Sequence, residues 1–141
     1  MSGSRVHEIV TAPELAPPVG YAHAVVAAPG RAVYLGGQTA LGPDGTIQGA
    51  TLVEQFDVAA GNVVAALRAA GGRAEDLVSM QIFVTDVAGY RASLRELGPV
   101  WQARFGRRYP ATGLFGVTRL FDEEALVELM AVAVLPEGRE P

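Results

Sequence analysis

Hydrophobic and polar positions change their spacing several times along the chain, and each change predicts a new element of secondary structure. Apolar runs at Ala22–Ala28 and Ala32–Gly36 flank Pro29-Gly30, a turn pair, which predicts a β-hairpin. A shorter strand is predicted before it at Arg5–Val10. These segments together predict three strands in the first quarter of the chain.

Two segments have the spacing of amphipathic helices. The first begins with Thr51-Leu52-Val53-Glu54, which is a Thr-x-x-Glu capping box, and Gly71-Gly72 is expected to end it. The second runs from Tyr90 to Phe105. It contains Gly98-Pro99, and because proline lacks a backbone N–H, this pair is expected to kink or interrupt the helix.

The segment between the helices alternates in the two-residue period of a strand with two different faces, over Leu77–Asp86. Two last strands are predicted at Thr112–Leu120 and Ala125–Val134. The order β-β-β-α-β-α-β-β predicts an α+β domain in which two helices pack on one face of a mixed sheet. We expect a partner subunit to cover the other face.

The composition supports one domain that associates with itself. A chain of 141 residues is about one domain long, so residues 1–141 are expected to share one core. Hydrophobic residues make up 50% and charged residues 18%, where roughly 25% charged is usual. A small domain has difficulty hiding so much apolar surface, and homo-oligomerisation would cover it.

The charges limit the classes of partner. A net charge of −4 offers no attraction to a nucleic-acid backbone or to an anionic membrane, so small molecules or proteins are expected instead. The longest apolar run, Leu129–Leu135, is far shorter than the roughly 18–20 residues of a bilayer helix. Met1–Val10 lacks the features of a secretory signal, and the chain has no cysteine, so we expect a cytoplasmic protein without disulfides.

Glu128 is the most informative candidate for chemistry, because it interrupts an apolar strand. A buried carboxylate is costly unless paired, and burial raises its pKa, which suits a general acid or base near neutral pH. The alternative is a glutamate on an edge strand that faces water.

Other candidates are weaker. Gly36-Gly37-Gln38 follows a strand, and glycines there let a ligand approach backbone N–H groups, although a tight strand exit explains them equally. His7 and His23 are too far apart for a metal-ligand spacing, so no metal site is expected. Core packing is the default for Tyr21 and Trp101.

A set of short motifs resembles the RidA (YjgF-type) family of reactive-intermediate deaminases in order and spacing. The motifs are Pro17-Pro18-Val19-Gly20-Tyr21, Tyr34-Leu35-Gly36-Gly37-Gln38, Asn62 nine residues before Gly71, Val84-Thr85-Asp86, Phe105, Pro110-Ala111 and Val127-Glu128. The resemblance implies a chorismate-mutase-like α+β fold and a homotrimer with clefts between adjacent subunits. It also implies hydrolysis of an enamine or imine to a carbonyl compound plus ammonia, without a cofactor.

The chain departs from the family pattern around this cleft. The family's arginine after Pro-Ala, which grips the substrate carboxylate, is replaced by Thr112. Its serine before Gly-Gln is Gly36, its asparagine on the second helix is Gly98, and its frequent cysteine is Leu114. Since threonine cannot replace the guanidinium fork, the expected substrate is not a 2-aminoacrylate-type imino acid.

The resemblance implies catalytic roles for Glu128, which manages the attacking water, and for Tyr21. It places Gly36, Gly37, Gly98, Trp101, Thr112 and Leu114 around the substrate. The Gly37 N–H would polarise a developing charge. Two alternatives stay open, a ligand-binding module without catalysis and an endoribonuclease or translation inhibitor; the acidic composition argues against the second.

Overall fold

The computed structural model describes residues 6–139, so Arg5, at the start of the predicted first strand, lies outside the described residues. The described elements follow the predicted order, except that the second helix is in two pieces. They are β1 (Glu8–Val10), β2 (Ala24–Val26), β3 (Gly30–Tyr34), α1 (Leu52–Ala69), a 3₁₀ turn (Ala74–Asp76), β4 (Leu77–Val84), α2 (Val87–Ala92), α3 (Leu94–Phe105), β5 (Ala111–Gly116) and β6 (Val127–Pro136).

Four strands form a mixed sheet in the order β3-β6-β4-β5. Strands β4 and β5 are parallel, because α2 and α3 carry the chain back between them, and the other two pairs are antiparallel. Helices α1 and α3 pack against each other and cover one face, where Phe56, Val63, Leu67, Met80 and Leu129 form the core. The predicted α+β fold with two main helices on a mixed sheet is confirmed.

The predicted hairpin around Pro29-Gly30 is wrong. Strand β2 pairs with β1 in a separate two-stranded sheet, whereas β3 pairs with β6. A two-residue hairpin turn needs a positive φ, and Gly30 does not have one. A Cβ on Gly30 would lie 2.0 Å from the Leu135 carbonyl oxygen, so this glycine permits close packing of the strands and does not reverse the chain.

Helix α1 begins and ends as the sequence predicts. The Thr51 hydroxyl accepts the Glu54 N–H at 3.2 Å, and the Glu54 carboxylate accepts the Thr51 N–H at the same distance, which completes the capping box. At the other end Gly71 has a φ of +92°, a conformation that terminates a helix and that glycine adopts without strain.

The second predicted helix breaks at Ser93 and not at Gly98-Pro99. Ser93 ends α2 and begins α3, and its hydroxyl donates to the Gly89 carbonyl at 2.9 Å. Helix α3 runs unbroken through Pro99. The hydrogen bond that Pro99 removes would have gone to the carbonyl of Arg95, an exposed residue, so water can serve it.

Alternation along β4 separates two faces of the sheet, as predicted. Met80, Ile82 and Val84 are buried under the helices. Their neighbours Gln81 and Phe83 lie on the opposite surface. We call that surface the open face; from the strand register it also carries Ala32, Tyr34, Phe115, Glu128, Met130 and Val132.

A buried ion pair attaches the C-terminal segment to the domain. Asp76 is completely buried and accepts hydrogen bonds from the Arg73 N–H and from the guanidinium of Arg139. The hydrogen bonds to the Asp76 carboxylate raise the pKa of Arg139 above its usual value. The pair therefore holds the chain after β6 against the start of β4.

Candidate functional site

A cavity of about 520 Å³ opens between the sheet and α3, on the helix-covered side. It brings together five of the predicted site residues: Tyr21, Gly98, Trp101, Thr112 and Leu114. The strand register places the two β5 residues here, because Thr112 lies beside Met80 and Leu114 beside Ile82, both of which face the core. We call this space the helix-side cavity.

The described lining of the cavity lacks a positive charge that could pair with a carboxylate. None of the described residues that line it carries a formal charge. The Thr112 hydroxyl donates to the Pro110 carbonyl at 2.7 Å, so it presents only lone pairs to its surroundings. Thr112 therefore supplies neither the positive charge nor the donor that an anionic substrate needs.

Aromatic rings form one wall of the helix-side cavity. The Trp101 ring stacks on Tyr109 with centroids 5.0 Å apart, and it approaches Phe56 at 6.3 Å. Phe56 in turn lies 6.4 Å from Tyr90. Trp101 is 5% exposed, so it belongs to the core by burial and also lines the cavity. The packing of Trp101 in the core confirms the default expectation for it, whereas the same expectation for Tyr21 is wrong, because Tyr21 is 38% exposed beside the cavity.

The sequence did not single out Tyr90 or Tyr109 as cavity residues. Burial, followed by the neighbouring Tyr109 phenol, raises the pKa of Tyr90 to about 12, so its hydroxyl stays protonated near neutral pH. Tyr90 appeared only as a helical apolar position. The signal that was available is its phenol, which needs a polar partner when buried.

Gly98 makes room inside the cavity. A Cβ built on Gly98 would meet no atom within 4 Å, and the residue does not have a positive φ. Glycine is therefore required here neither by the backbone nor by close packing. Its effect is to leave open the space that a side chain on α3 would occupy.

Glu128 lies on the open face, away from this cavity. Its strand neighbour is Phe83, and it lines neither of the two cavities that include Tyr21. The side chain is half-buried, and its carboxylate rests on Gly37: a Cβ there would lie 2.0 Å from Glu128 Oε2. Within one chain the structure thus joins Glu128 to Gly37 and separates it from Tyr21.

Gly36 and Gly37 interrupt the pairing of the chain after β3 with β6. The amides on either side of them are bonded, Leu35 N–H to Ala131 and Gln38 N–H to Leu129. The two glycine N–H groups take no part in the backbone hydrogen bonds of the described residues. They can therefore donate to a ligand beside the Glu128 carboxylate, as the sequence suggested for this strand exit.

Both histidines have structural roles. His7 is buried, accepts the Ala28 N–H and contacts the Val134 carbonyl at 2.9 Å. His23 accepts the Ala12 N–H and contacts the Ala16 carbonyl. It also lines a shallow cavity beside Tyr21. The His7 imidazole thus connects the segment after β2 to strand β6, and the His23 imidazole connects the start of β2 to the loop after β1.

Residues 6–139 contain no cluster of three histidine or acidic side chains with the geometry to hold a metal ion. No helix in the same part of the chain combines the length and the apolar character that a bilayer crossing requires.

Comparison with protein families gives one match. The family model described as Endoribonuclease L-PSP matches residues 11–135, which is most of the chain. A search of curated proteins found no match.

Solved structures of similar fold cover nearly the whole chain. A Rid-family protein of unknown function, YyfB from Yersinia pestis, is 27% identical with a TM-score of 0.83 and covers 92% of this chain and 99% of its own. Rv2704 from Mycobacterium tuberculosis, of the YjgF/YER057c/UK114 family, is 29% identical with a TM-score of 0.61. The match covers 92% of this chain and 99% of Rv2704. TdcF from E. coli, solved with bound serine, is 28% identical with a TM-score of 0.66. The match covers 90% of this chain and 97% of TdcF.

Proposed function

The chain belongs to the endoribonuclease L-PSP family, whose members include the Rid and YjgF-type proteins, and on that premise we propose that it hydrolyses an imine or enamine in a cleft between two subunits. One observation carries the proposal. Tyr21, Thr112 and Leu114 border the helix-side cavity, whereas Glu128 and Gly37 form a second group on the open face. Two such half-sites are what an active site shared by neighbouring subunits requires.

The open face supports this assembly. Tyr34 is 80% exposed there, and Phe115 and Met130 are each nearly half exposed. A contiguous apolar sheet surface of this kind is typical of a subunit interface. We propose a homotrimer, in which the open face of one chain meets the edge strand β5 and the helix-side cavity of the next.

The chemistry follows from the two half-sites. The Glu128 carboxylate takes a proton from water while the water oxygen bonds to the C=N carbon, and the nitrogen receives that proton. The resulting carbinolamine then gives its hydroxyl proton to Glu128, the C–N bond breaks, and ammonia leaves with the proton that Glu128 returns. The Gly37 N–H stabilises the oxygen as charge develops on it. Tyr21, at the cavity mouth, orients the substrate.

The proposed substrate is a neutral or bulky imine and not a 2-aminoacrylate-type imino acid. A carboxylate in the helix-side cavity would be desolvated without a cation or a Thr112 donor to compensate it. The serine found in TdcF supports small-molecule binding in a relative with this fold. The family description names an endoribonuclease, but a net charge of −4 gives RNA phosphates no attraction. A cytoplasmic location is part of the same proposal.

The test is ammonia release from a panel of freshly generated imines, with wild type beside Glu128→Gln. The amide keeps the size of the side chain but cannot take a proton, so we expect the fold to persist and turnover to be lost. An active Gln variant would refute the role of Glu128. A wild-type protein that binds these imines and releases no ammonia would instead be a binding module without catalysis.

A further inference from the structure

Resting on the proposed function, we propose that the substrate carries an uncharged aromatic ring, and that this ring occupies the helix-side cavity beneath Gly98, against Trp101 and Tyr109. The hydrolysed C=N bond would then lie at the cavity mouth near Thr112 and Leu114. This assigns a substrate class and a specificity-determining subsite to the cleft.

The shape and lining of the cavity favour a ring over a flexible chain. Its aromatic wall is continuous, from Tyr90 through Phe56 to Trp101 and Tyr109, with successive centroids 6.4, 6.3 and 5.0 Å apart. Aromatic pairs prefer centroid separations in this range, so a planar guest extends the same packing. A cavity of about 520 Å³ exceeds what a two- or three-carbon imine fills.

The polar groups of the cavity select a neutral ligand. Charged side chains are absent from its described lining, and Thr112 offers only an acceptor. The donors in the described lining are uncharged, and they include the Tyr90 hydroxyl, whose pKa burial raises to about 12. Tyr90 and Tyr109 both line the cavity, so a polar substituent on the ring would meet their hydroxyls.

Gly98 is the feature that admits the ring. Its backbone accepts any residue, and a Cβ there meets open space, so a larger side chain at this position fills the cavity without displacing its neighbours. Gly98→Leu therefore removes the subsite and keeps the helix. Ala103→Leu is a matched control, because Ala103 is exposed on the same helix.

Trp101 provides a direct measurement, because it is the one tryptophan of the chain and lies in the cavity wall. Tryptophan emission, excited at a wavelength that the ligands do not absorb, is titrated with benzamide as the probe for a neutral aryl imine. Benzoate has the same shape with a charge, and acetamide lacks the ring. We expect saturable binding of benzamide, binding at least tenfold weaker for benzoate, and no saturation with acetamide.

In Gly98→Leu we expect benzamide affinity to fall at least tenfold, with a smaller loss in Gly98→Ala, whereas Ala103→Leu keeps the wild-type value. Circular dichroism establishes that each variant is folded. Three results would overturn the subsite. They are no saturation of wild type with benzamide, equal affinity of wild type for benzoate, and an unchanged affinity for benzamide in folded Gly98→Leu. If benzamide binds as expected but no imine yields ammonia, the proposed hydrolysis fails while the aryl subsite stands. If only aliphatic imines are hydrolysed and benzamide does not bind, the aryl subsite fails while the proposed hydrolysis stands.

Discussion

The contact between Gly37 and Glu128 allows the position of the proposed base to be changed without touching the base itself. In Gly37→Ala the new methyl group would lie 2.0 Å from Glu128 Oε2 and 3.0 Å from its Cδ. Ordinary van der Waals contact begins near 3.4 Å, so the carboxylate must withdraw by more than 1 Å. Because the clash involves the far end of a flexible side chain, the carboxylate yields and the sheet does not.

The expected loss of activity is large and the expected loss of stability is small. Misplacing a reacting group by about 1 Å costs on the order of 10²-fold in rate, which equals about 2.7 kcal/mol of barrier. Gly37 has no positive φ, so alanine there introduces no backbone strain. We therefore expect Gly37→Ala to lower kcat about 10²-fold and to leave the melting temperature within about 2 °C of wild type.

The assay is ammonia release under saturating imine, beside thermal unfolding followed by circular dichroism. Gly36→Ala is the control for folding, because a Cβ on Gly36 meets no atom within 4 Å. Wild-type turnover in Gly37→Ala, together with an inactive Glu128→Gln, would refute the argument that this contact positions the base. A melting temperature many degrees lower would show that the strand exit, and not the carboxylate, had moved.

Further predictions concern assembly, specificity, stability and pH. Light scattering should give three chains per particle, and a stable monomer at micromolar concentration would contradict the shared cleft. Thr112→Arg should raise kcat/KM for a carboxylate-bearing imine relative to its methyl ester by roughly tenfold or more, since a charge-assisted hydrogen bond contributes about 1.5–3 kcal/mol. An unchanged ratio of the two kcat/KM values would mean that residue 112 does not reach the substrate. Arg139→Ala leaves the Asp76 carboxylate buried without its guanidinium, so the free energy of unfolding in urea should fall by about 2 kcal/mol, and no change would show that water replaces the pair. Because burial raises the pKa of Tyr90 to about 12, the folded chain holds a proton that the unfolded chain releases from about pH 10; stability should therefore fall between these values in wild type and fall less in Tyr90→Phe.

The local elements could be predicted because each depends on neighbours in sequence. The capping box at Thr51, the glycine stop at Gly71 and the alternation along β4 are set by hydrogen bonds and side-chain directions within a few residues. The motifs around Tyr21 and Glu128 likewise identified the family, because their order along the chain is itself sequence information.

The pairing of the strands, and the sheet face on which each site residue lies, depended on contacts between distant segments. The apolar runs on either side of Pro29-Gly30 have the same pattern whether they pair with each other or with distant strands. The close approach of Gly30 to the Leu135 backbone is what pairs β3 with β6. Motif order could not tell that Thr112 and Glu128 lie on opposite faces of one sheet, because a side chain's face follows from register. The sequence could not predict the aromatic wall for the same reason. Each of its residues fits the local pattern of a core position, and only the packing of α1, α2 and α3 brings them to one cavity; they are Phe56, Tyr90, Trp101 and Tyr109.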